Sequence, residues 1–283
     1  MPREPFTLSI VMPAFNEEAT IGRAVEELLA TDLPFSNELI VVDDGSEDAT
    51  ADIVAGIHDP RLVLIRHEGN QGKGAALMTG AQVASGTHLL PFDADREYDP
   101  GDVTKLAEPV ITGRASVVFG SRLSGVHTVY QSYRYALGNR VMTLWANVLF
   151  DAAVTDLHTC LKLVPLPFFR AVRLRQRGFG LDTELAAAVL ASGARPFEVP
   201  IAYYGRTHDE GKKITWRDGV HCLWILARSR VRRRIAPVAP PREWAKGPTV
   251  ELYGRPGLRG GGRPQPPASR NGRTNVALEA ERE

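Results

Sequence analysis

Five short apolar runs, separated by stretches with helical periodicity, occupy residues 7–119. They are "LSIVMPAF", "ELIVVDD", "RLVLIRH", "THLLPFD" and "ASVVFGS". Near-continuous Val, Ile and Leu is typical of strands covered on both faces, as in parallel sheets. Between the first two runs, Ile21, Val25 and Leu28 share one helical stripe, and Asn16 is the predicted cap of that helix. The alternation predicts an α/β fold with a mainly parallel central sheet flanked by helices.

Beyond Ser121 the alternation ends. A helix is expected over residues 133–153, an extended piece at "TCLKLVPLPFF", a helix at "DTELAAAVLASG" and a strand at "RPFEVPIAYY". The stretch "TWRDGVHCLWILARSRVRRR" is predicted to be a basic amphipathic helix. From Ile235 onward, Pro and Gly fill 15 of 49 positions, a density that predicts disorder. The chain is therefore divided into residues 1–214, a helix at 215–234 and a tail at 235–283.

Composition limits the classes of function. The chain of 283 residues has a formal net charge of +1, so no global field favours nucleic acid as a partner. Its two cysteines, Cys160 and Cys222, cannot form a disulfide framework, and no signal-like segment precedes Phe6. No apolar stretch reaches about 18 residues, the length from which a transmembrane helix is considered. These features predict a cytoplasmic protein and leave its oligomeric state open.

Acidic residues follow several predicted strands. Ligands of a parallel α/β sheet bind at the carboxyl ends of its strands, so these acids should meet at one edge. Like charges there repel one another unless a cation or a hydrogen-bonding ligand shares the space. The acids at this edge are Glu17, Asp43, Asp44, Asp93, Asp95 and Glu97.

The run "DADREYDP" has two interpretations. Asp93 and Asp95, followed by Glu97, can converge on a hard cation such as Mg²⁺ or Mn²⁺ if the chain turns after the strand. The alternative is that these acids cap the next helix, which suits Asp99 before Pro100 better than the two earlier aspartates. The D-x-D spacing alone is a weak indication of a metal site.

The loop "GNQGKG" resembles a phosphate-binding loop only superficially. A P-loop needs Gly at position 67 and Ser or Thr at position 74, where this chain has His67 and Gly74. Lys73, after Gly72, could still face a ligand's phosphates at a helix N-terminus. The alternative is a solvated turn.

Taken together, the motifs resemble the family 2 inverting glycosyltransferases with the GT-A fold. "VMPAFNEEATIG", "ELIVVDDGSEDAT", "NQGKGAAL" and "FDADREYDP" occur in the family's order and spacing. "VVFGSRL", "TDLHTCLKLV", "GFGLDTEL" and "FEVPIAYYGRTHDEGKKI" are similar to the branch of dolichol-phosphate mannosyltransferase and bacterial polyprenyl-phosphate glycosyltransferases. The resemblance covers about Phe6 to Asp218, which implies that residues 1–214 form the catalytic domain.

The resemblance also implies roles for single residues. Asp43 would bond the base or the ribose, with Asp44 supporting it. Asp93 would face the sugar and ribose, and Asp95 would be the main ligand of Mg²⁺ or Mn²⁺. Glu97 stands where mannosyl-transferring relatives often carry Gln, and it adds a charge beside the metal. The residues implied in binding the nucleotide-sugar donor are Pro13, Phe15, Glu17, Asp43, Asp44, Gly72, Lys73 and Asp93.

The chemistry of an inverting transfer explains why these residue types are needed. A nucleoside diphosphate leaves the anomeric carbon in one step, and a divalent cation with Lys or Arg stabilises the charge that builds on it. For each candidate cation on a matching motif, the alternative is a solvated surface charge. These candidates are Arg122, Arg206, Lys212 and Lys213.

The acceptor decides whether a general base is needed. A lipid phosphate is already ionised and has only to be held, whereas a hydroxyl acceptor needs a carboxylate within reach. Candidate bases are Asp156, Asp182 and Glu184, although Asp156 could equally cap "TDLHTC" and Glu184 could lie in a helix's first turn. We predict transfer from a UDP-sugar or GDP-mannose to polyprenyl phosphate, with a saccharide or natural-product hydroxyl as the alternative acceptor.

Two other classes fit less well. A sugar-nucleotide pyrophosphorylase needs a Gly-rich, Arg-containing loop after the first strand, but "MPAFNEEAT" has neither residue. A non-catalytic nucleotide-sugar binding subunit would not need Asp93 and Asp95.

One helix is a candidate for membrane contact. Arg134 and Arg140 flank an apolar helix that includes Trp145, Leu149 and Phe150. Packed inward, this helix is core; facing a bilayer, it would lie in the membrane plane beside a phosphate-binding arginine. The arginine-rich end of the last helix could meet anionic headgroups or be solvated. Any membrane contact is therefore predicted to be peripheral, on the inner face.

Overall fold

A computed structural model of the chain describes residues 5–123, 128–129, 133–172, 174–178, 180–205 and 216–235. The strands are β1 (Thr7–Ala14), β2 (Ser36–Asp43), β3 (Leu62–Arg66), β4 (His88–Pro91), β5 (Val118–Ser121), β6 (Thr128–Val129), β7 (Lys162–Pro165), β8 (Phe197–Pro200) and β9 (Tyr203–Tyr204). The helices are α1 (Ile21–Ala30), α2 (Thr50–Ala55), α3 (Lys73–Val83), α4 (Asp102–Ile111), α5 (Tyr133–Phe150), α6 (Leu166–Ala171), α7 (Gly180–Ala191) and α8 (Trp216–Ile235).

The central sheet is mainly parallel, as the apolar runs predict. Its seven strands lie in the order β3-β2-β1-β4-β7-β5-β8. Strands β1 to β4 pair in parallel, and so do β5 and β8, whereas β7 is antiparallel to both β4 and β5. A separate parallel pair joins β6 to β9. The α/β prediction is therefore confirmed, with one antiparallel strand inserted.

Helices cover both faces of the sheet, which is why its central strands are mainly apolar. Successive strand residues point to opposite faces: Ile10 and Met12 pack under α1, α2 and α4, while Val11 packs under α3. Helix α3 approaches β1 so closely that a Cβ at Gly80 would collide with the side chain of Val11. Glycine at this position lets the helix that begins with Lys73 lie flat on the sheet.

Two local predictions are wrong. In "TCLKLVPLPFF" only Lys162–Pro165 is a strand, and Leu166–Ala171 forms α6, because a helix buries Leu166, Phe168 and Phe169 together. Asn16 does not cap α1, which begins at Ile21.

Asn16 instead ties two loops together. Its backbone N–H donates to Ser46 Oγ (2.9 Å), and its Oδ1 accepts from Glu47 N (2.9 Å). Its φ of 54° lies in the left-handed region that asparagine tolerates. The loop after β1 is therefore held against the loop after β2.

The last two long helices lie close to their predicted positions. Helix α5 covers most of the predicted residues 133–153, and α8 matches the helix predicted for 215–234. The two pack against each other, and Arg230 Nε donates to Leu149 O across the contact (2.6 Å). The predicted tail lies outside the described residues, apart from Ile235 at the end of α8.

Candidate active site

The carboxyl ends of β1, β2 and β3 lie side by side at one edge of the sheet. The strand register pairs Ala14 with Asp43, and Asp43 with Arg66. Of the residues predicted to line a donor pocket, Phe15 is exposed and Pro13 and Glu17 are half-buried. Glu17 is anchored to α2, since its backbone N–H donates to Thr50 Oγ1 (2.9 Å). The edge therefore has an exposed aromatic ring beside a rigid loop.

Asp43 is buried and held from two sides. Its Oδ1 accepts from Ser46 N (3.1 Å), and Arg66 Nε lies 3.1 Å from its Oδ2. Arg66 also donates to Ser46 O (3.1 Å), although about half of its side chain is exposed. Arg66 was not among the residues predicted for this site. Its position as the last residue of β3, at the same edge as the acids, could have indicated a role in the site.

Asp44 shapes the loop of residues 67–73. Its carboxylate accepts from Gln71 N (3.0 Å) and Gly72 N (2.6 Å) and lies 2.7 Å from His67 Nδ1. Gly72 has a φ of 94°, and a Cβ there would collide with the carbonyl of Arg177. Asp44 is thus a loop organiser, buried beneath the edge.

The first turn of α3 is partly occupied within the protein. Gly74 N donates to Arg177 O at 2.6 Å, and a Cβ at Gly74 would collide with Gln176 O. This backbone N–H is therefore taken by the loop of residues 174–178. The N–H of Gly74 is therefore not free to bind a ligand's phosphates, as was expected of this helix N-terminus. The side chain of Lys73 is the main cationic group at this end of α3.

Lys73 joins two acids from distant parts of the chain. Its Nζ lies 2.8 Å from Asp93 Oδ1 and 3.4 Å from Asp182 Oδ2. Burial alone would lower the pKa of Lys73, but the Asp182 and Asp93 carboxylates raise it well above its usual range. Burial would raise the pKa of Asp182, and Lys73 and Lys162 hold it below its usual range. The group Lys73–Asp93–Asp182, called the open cluster below, therefore holds one amine between two acidic side chains.

In the turn after Asp93, the predicted metal ligands Asp95 and Glu97 have hydrogen bonds within the protein. Asp95 Oδ1 accepts from Glu97 N (3.1 Å), and Glu97 Oε2 accepts from the hydroxyl of Tyr203 (2.7 Å). Arg96 sits at a φ of 58° and pairs with Glu27, away from the aspartates. Asp99 Oδ1 accepts from Gly101 N (2.8 Å), one residue before α4. Asp99 thus forms the turn that leads into that helix.

A preformed protein cage for a metal is not found in the described part of the chain. No set of three or more His, Cys, Asp or Glu side chains there is arranged to hold an ion. The hard oxygen donors of Asp93 and Asp95 still suit Mg²⁺ or Mn²⁺, which usually take one or two carboxylates together with substrate phosphates. The residues therefore fit a cation that shares its ligands with a bound diphosphate.

Arg122 and Asp156 form a closed pair at the end of β5. Arg122 Nε donates to Asp156 Oδ2 (2.7 Å) and Nη2 to Oδ1 (2.9 Å). The guanidinium also lies 4.9 Å from the ring centre of Tyr203. Burial would raise the pKa of Asp156, but Arg122 holds it far below its usual range. Asp156 is therefore an anchored carboxylate.

Glu184 has no contact with the open cluster or with the closed pair among the hydrogen bonds described. Glu184 Oε2 accepts from Arg175 N (2.7 Å) and Gln176 N (2.8 Å), so it anchors the loop of residues 174–178. Arg206, Lys212 and Lys213 lie outside the described residues. Asp182, in contrast, carries a buried Oδ1 without a hydrogen-bond partner among the described groups.

Helices α5 and α8 each expose apolar side chains, which are together called the apolar helix face. Its residues on α5 lie at helical spacing, and the interior side of the same helix buries Asn139, Ala146 and Phe150. Phe150 thus belongs to the core, as the inward-packing alternative expects, while Trp145 is exposed and Leu149 half-buried. The apolar helix face consists of Tyr133, Leu137, Val141, Leu144, Trp145, Val148, Val220, Trp224 and Val231.

Cations accompany this face. Arg140 and Arg228 are exposed, and the Arg228 guanidinium lies 4.8 Å from the ring centre of Trp224. The side chain of Arg134 falls outside the described part. None of the helices that the structure describes is both long and apolar enough to cross a bilayer.

Comparison with known proteins identifies the family. The model of "Glycosyl transferase family 2" matches residues 9–161. The chain is 30% identical over 207 residues to the low-salt glycan biosynthesis hexosyltransferase Agl6 of Haloferax volcanii, covering 71% of this chain and 48% of that one. It is 27% identical over 221 residues to the dodecaprenyl-phosphate galacturonate synthase of Rhizobium johnstonii, covering 75% and 63%. The chain thus spans about half to two thirds of these relatives.

A solved structure confirms the fold. Glucosyl-3-phosphoglycerate synthase from Mycobacterium tuberculosis, crystallised with Mn²⁺, UDP-glucose and phosphoglyceric acid, superposes with a TM-score of 0.60 at 21% identity. The match covers 80% of each chain. The predicted GT-A fold is confirmed, and the chain belongs to glycosyl transferase family 2.

Proposed function

We propose that this protein transfers a sugar from a nucleotide-sugar donor to polyprenyl phosphate, with inversion and with the aid of Mg²⁺ or Mn²⁺. The observation that carries the proposal is Lys73, held between Asp93 and Asp182 beside the turn that bears Asp95. A cation and two carboxylates at the carboxyl ends of α/β strands suit a donor whose diphosphate brings its own metal. The polyprenyl-phosphate relatives support this choice of acceptor.

The donor would lie across the β1 and β2 ends. Phe15 offers an exposed ring for a base, and the buried Asp43 offers a carboxylate for its N–H groups or for the ribose. Asp44 keeps the loop with Gly72 in place beneath the diphosphate. Both a UDP-sugar and GDP-mannose fit this description.

A bound Mg²⁺ or Mn²⁺, held by Asp95 and Asp93, would stabilise the charge that builds on the leaving diphosphate. Lys73 adds a second positive charge, and because its Nζ already contacts two different carboxylates it could exchange one of them for a phosphate oxygen. An oxygen of the acceptor phosphate attacks the anomeric carbon as the bond to the diphosphate breaks. Arg122, whose Nε and Nη2 are held by Asp156, would hold the acceptor phosphate through its remaining N–H groups.

A lipid phosphate makes a general base unnecessary. Asp156 then has the role of positioning Arg122, since its carboxylate is already shared with that guanidinium. Glu184 anchors the loop of residues 174–178. One observation favours the alternative of a hydroxyl acceptor: the buried Oδ1 of Asp182 could accept its proton.

The apolar helix face would bring the enzyme to its lipid substrate. Large exposed apolar patches on proteins mark interaction sites, and a helix with apolar residues outward and arginines at its flanks suits an anionic bilayer surface. We place the protein in the cytoplasm with peripheral contact to the inner face of the membrane. Residues 206–215 and the tail are left out of this proposal.

The transfer assay compares acceptors and a matched pair of variants. Labelled UDP-sugars and GDP-mannose are incubated with Mn²⁺ and either a short polyprenyl phosphate or a simple glycoside. We expect an organic-extractable product that requires the metal, and its loss in Asp95→Ala but not in Asp99→Ala, which changes an exposed acid four residues away. Full activity of Asp95→Ala would refute the metal role, and a glycoside product alone would move the assignment to a hydroxyl acceptor.

Membrane contact is tested by vesicle flotation. Val148 is 67% exposed on the apolar helix face, and Val83, 51% exposed at the end of α3, is a matched control. We expect the protein to float with vesicles that contain anionic lipid, Val148→Glu to lose this binding and Val83→Glu to retain it. Equal binding by both variants would contradict the proposed surface.

A further inference from the structure

A chain of buried polar side chains runs from Asp156 away from Arg122. Asn139 Nδ2 lies 2.9 Å from Asp156 Oδ1, and Asn139 Oδ1 lies 3.0 Å from His158 Nδ1. His158 Nε2 lies 3.0 Å from Thr183 Oγ1. The four side chains come from three separate segments of the sequence, and Asp156 and Thr183 are fully buried.

The direction of each hydrogen bond follows from the ionised carboxylate. Asp156 only accepts, so the amide atom of Asn139 that faces it must be the N–H₂ group. The amide oxygen of Asn139 then faces His158, which must donate from Nδ1. A neutral imidazole with its proton on Nδ1 accepts at Nε2, so the hydroxyl of Thr183 donates there.

The surroundings favour this neutral form. Burial, together with the charge of Lys162, lowers the pKa of His158 to about 4. A protonated ring would need an acceptor at both nitrogens, and the Thr183 hydroxyl would then have to accept.

We infer that Asn139 and His158 are positioning residues. They hold the Asp156 carboxylate, and through it the guanidinium of Arg122, by a chain of hydrogen bonds in which each side chain donates toward Asp156. Buried polar chains of this kind are costly unless every member is satisfied, and when satisfied they specify one geometry. Thr183, which also makes a side-chain hydrogen bond with Cys222, lies next to Asp182 of the open cluster. The chain therefore ties Arg122 to the helix that carries a partner of Lys73. The catalytic consequence rests on the proposed function.

A matched pair on α5 separates positioning from packing. Asn147 is a half-buried asparagine of the same helix, with hydrogen bonds to Val154 N and O (3.0 and 2.8 Å), and it has no hydrogen bond to the chain from Asp156. We expect Asn139→Ala to lower kcat about tenfold to hundredfold, as misplacement of a catalytic group does, with an unchanged KM for the donor. Asn147→Ala should retain the wild-type kcat. Equal losses in both variants would overturn the inference.

Two NMR measurements test the chain without any turnover. The ring nitrogens of His158 should show the neutral form protonated at Nδ1 at pH 7, and the Arg122 Nε–H resonance should shift in Asn139→Ala but stay in place in Asn147→Ala. A proton on Nε2, or an unmoved Arg122 resonance, would refute the positioning role. If Asn139→Ala does not fold, His158→Asn, which keeps a donor toward Asn139, is compared with His158→Leu. A wild type that is inactive with every donor would count against the proposed function alone.

Discussion

The two cation–carboxylate clusters of this protein are built in opposite ways. Lys73 and Asp93 each have side chains that are 22% exposed, and the Lys73 amine divides its contacts between two acids. The side chain of Arg122 is 10% exposed and that of Asp156 is 0% exposed, and the two are joined by a bidentate pair. The open cluster can exchange partners with a ligand, whereas the closed pair has a single arrangement.

This difference follows from the number of groups that hold each carboxylate. Asp156 also accepts from Arg122 N (3.1 Å) and His158 N (3.2 Å), besides Asn139. An ion pair that is this buried contributes little net stability, but losing one partner leaves an uncompensated charge. The Lys73–Asp93 pair is more exposed, at 22% for each side chain, and Lys73 keeps Asp182 as a second partner, so losing Asp93 leaves less charge uncompensated. We therefore expect substitutions in the closed pair to affect mainly stability, and substitutions in the open cluster to affect mainly activity.

The largest effect is expected at the closed pair. Asp156→Asn leaves Arg122 buried without its counter-ion, so the free energy of unfolding should fall by about 3 to 5 kcal/mol. Urea denaturation at pH 7 measures the change. A loss below about 1 kcal/mol would show that the pair is not closed in solution.

At the open cluster we expect a larger effect on activity than on stability. Asp93→Asn should lower transfer by roughly 10²- to 10³-fold, since it removes a preorganised charge from the donor edge. The free energy of unfolding should fall by less than in Asp156→Asn, because Lys73 keeps Asp182 as a partner. Steady-state kinetics and urea denaturation of the same preparation give both numbers. A large loss of stability would make this cluster structural as well.

A smaller effect is expected in the pH dependence of the free energy of unfolding. The pKa of His158, beside the closed pair, and that of His88, in β4, are both lowered to about 4, chiefly by burial. The unfolded chain therefore binds more protons between pH 6.5 and pH 4, and stability is lost as the pH falls through this window. We expect a loss of roughly 1 to 3 kcal/mol for each histidine.

Urea denaturation at several pH values checks this prediction. The Asp93→Asn variant should keep the same slope, whereas His158→Asn should flatten it. Carboxylates with a lowered pKa, Asp156 among them, lose their contribution only below this window. A slope that is unchanged in His158→Asn would contradict the prediction.

The smallest effect is expected at an exposed ion pair that joins the turn after Asp93 to helix α1. Arg96 and Glu27 have side chains that are 36% and 38% exposed and lie 2.7 Å apart. Glu27→Gln should change the free energy of unfolding by less than about 1 kcal/mol and leave transfer unchanged. A clear loss of activity would mean that the turn of Arg96 needs this pair to hold Asp95 in place.

Much of the fold could be predicted because its information is local. Strands that are buried on both faces are apolar throughout, so β1 to β5 and the edge with Asp43 and Asp93 followed from the residues alone. The helix of residues 166–171 was mistaken for an extended piece, since a short apolar run fits a buried strand or helix equally well. Asn16 was mistaken for a cap because its partners, Ser46 and Glu47, belong to another loop.

The sequence by itself determined the α/β class, the family and the position of the acidic edge, because these depend on periodicity and on motifs within a few residues. Only the tertiary structure decided which cation meets which acid. Lys73 and Asp182 are 109 positions apart, and no local pattern links them. The insertion of β7, the outward side of α5 and the direction of the hydrogen bonds behind Asp156 are likewise consequences of packing between distant segments.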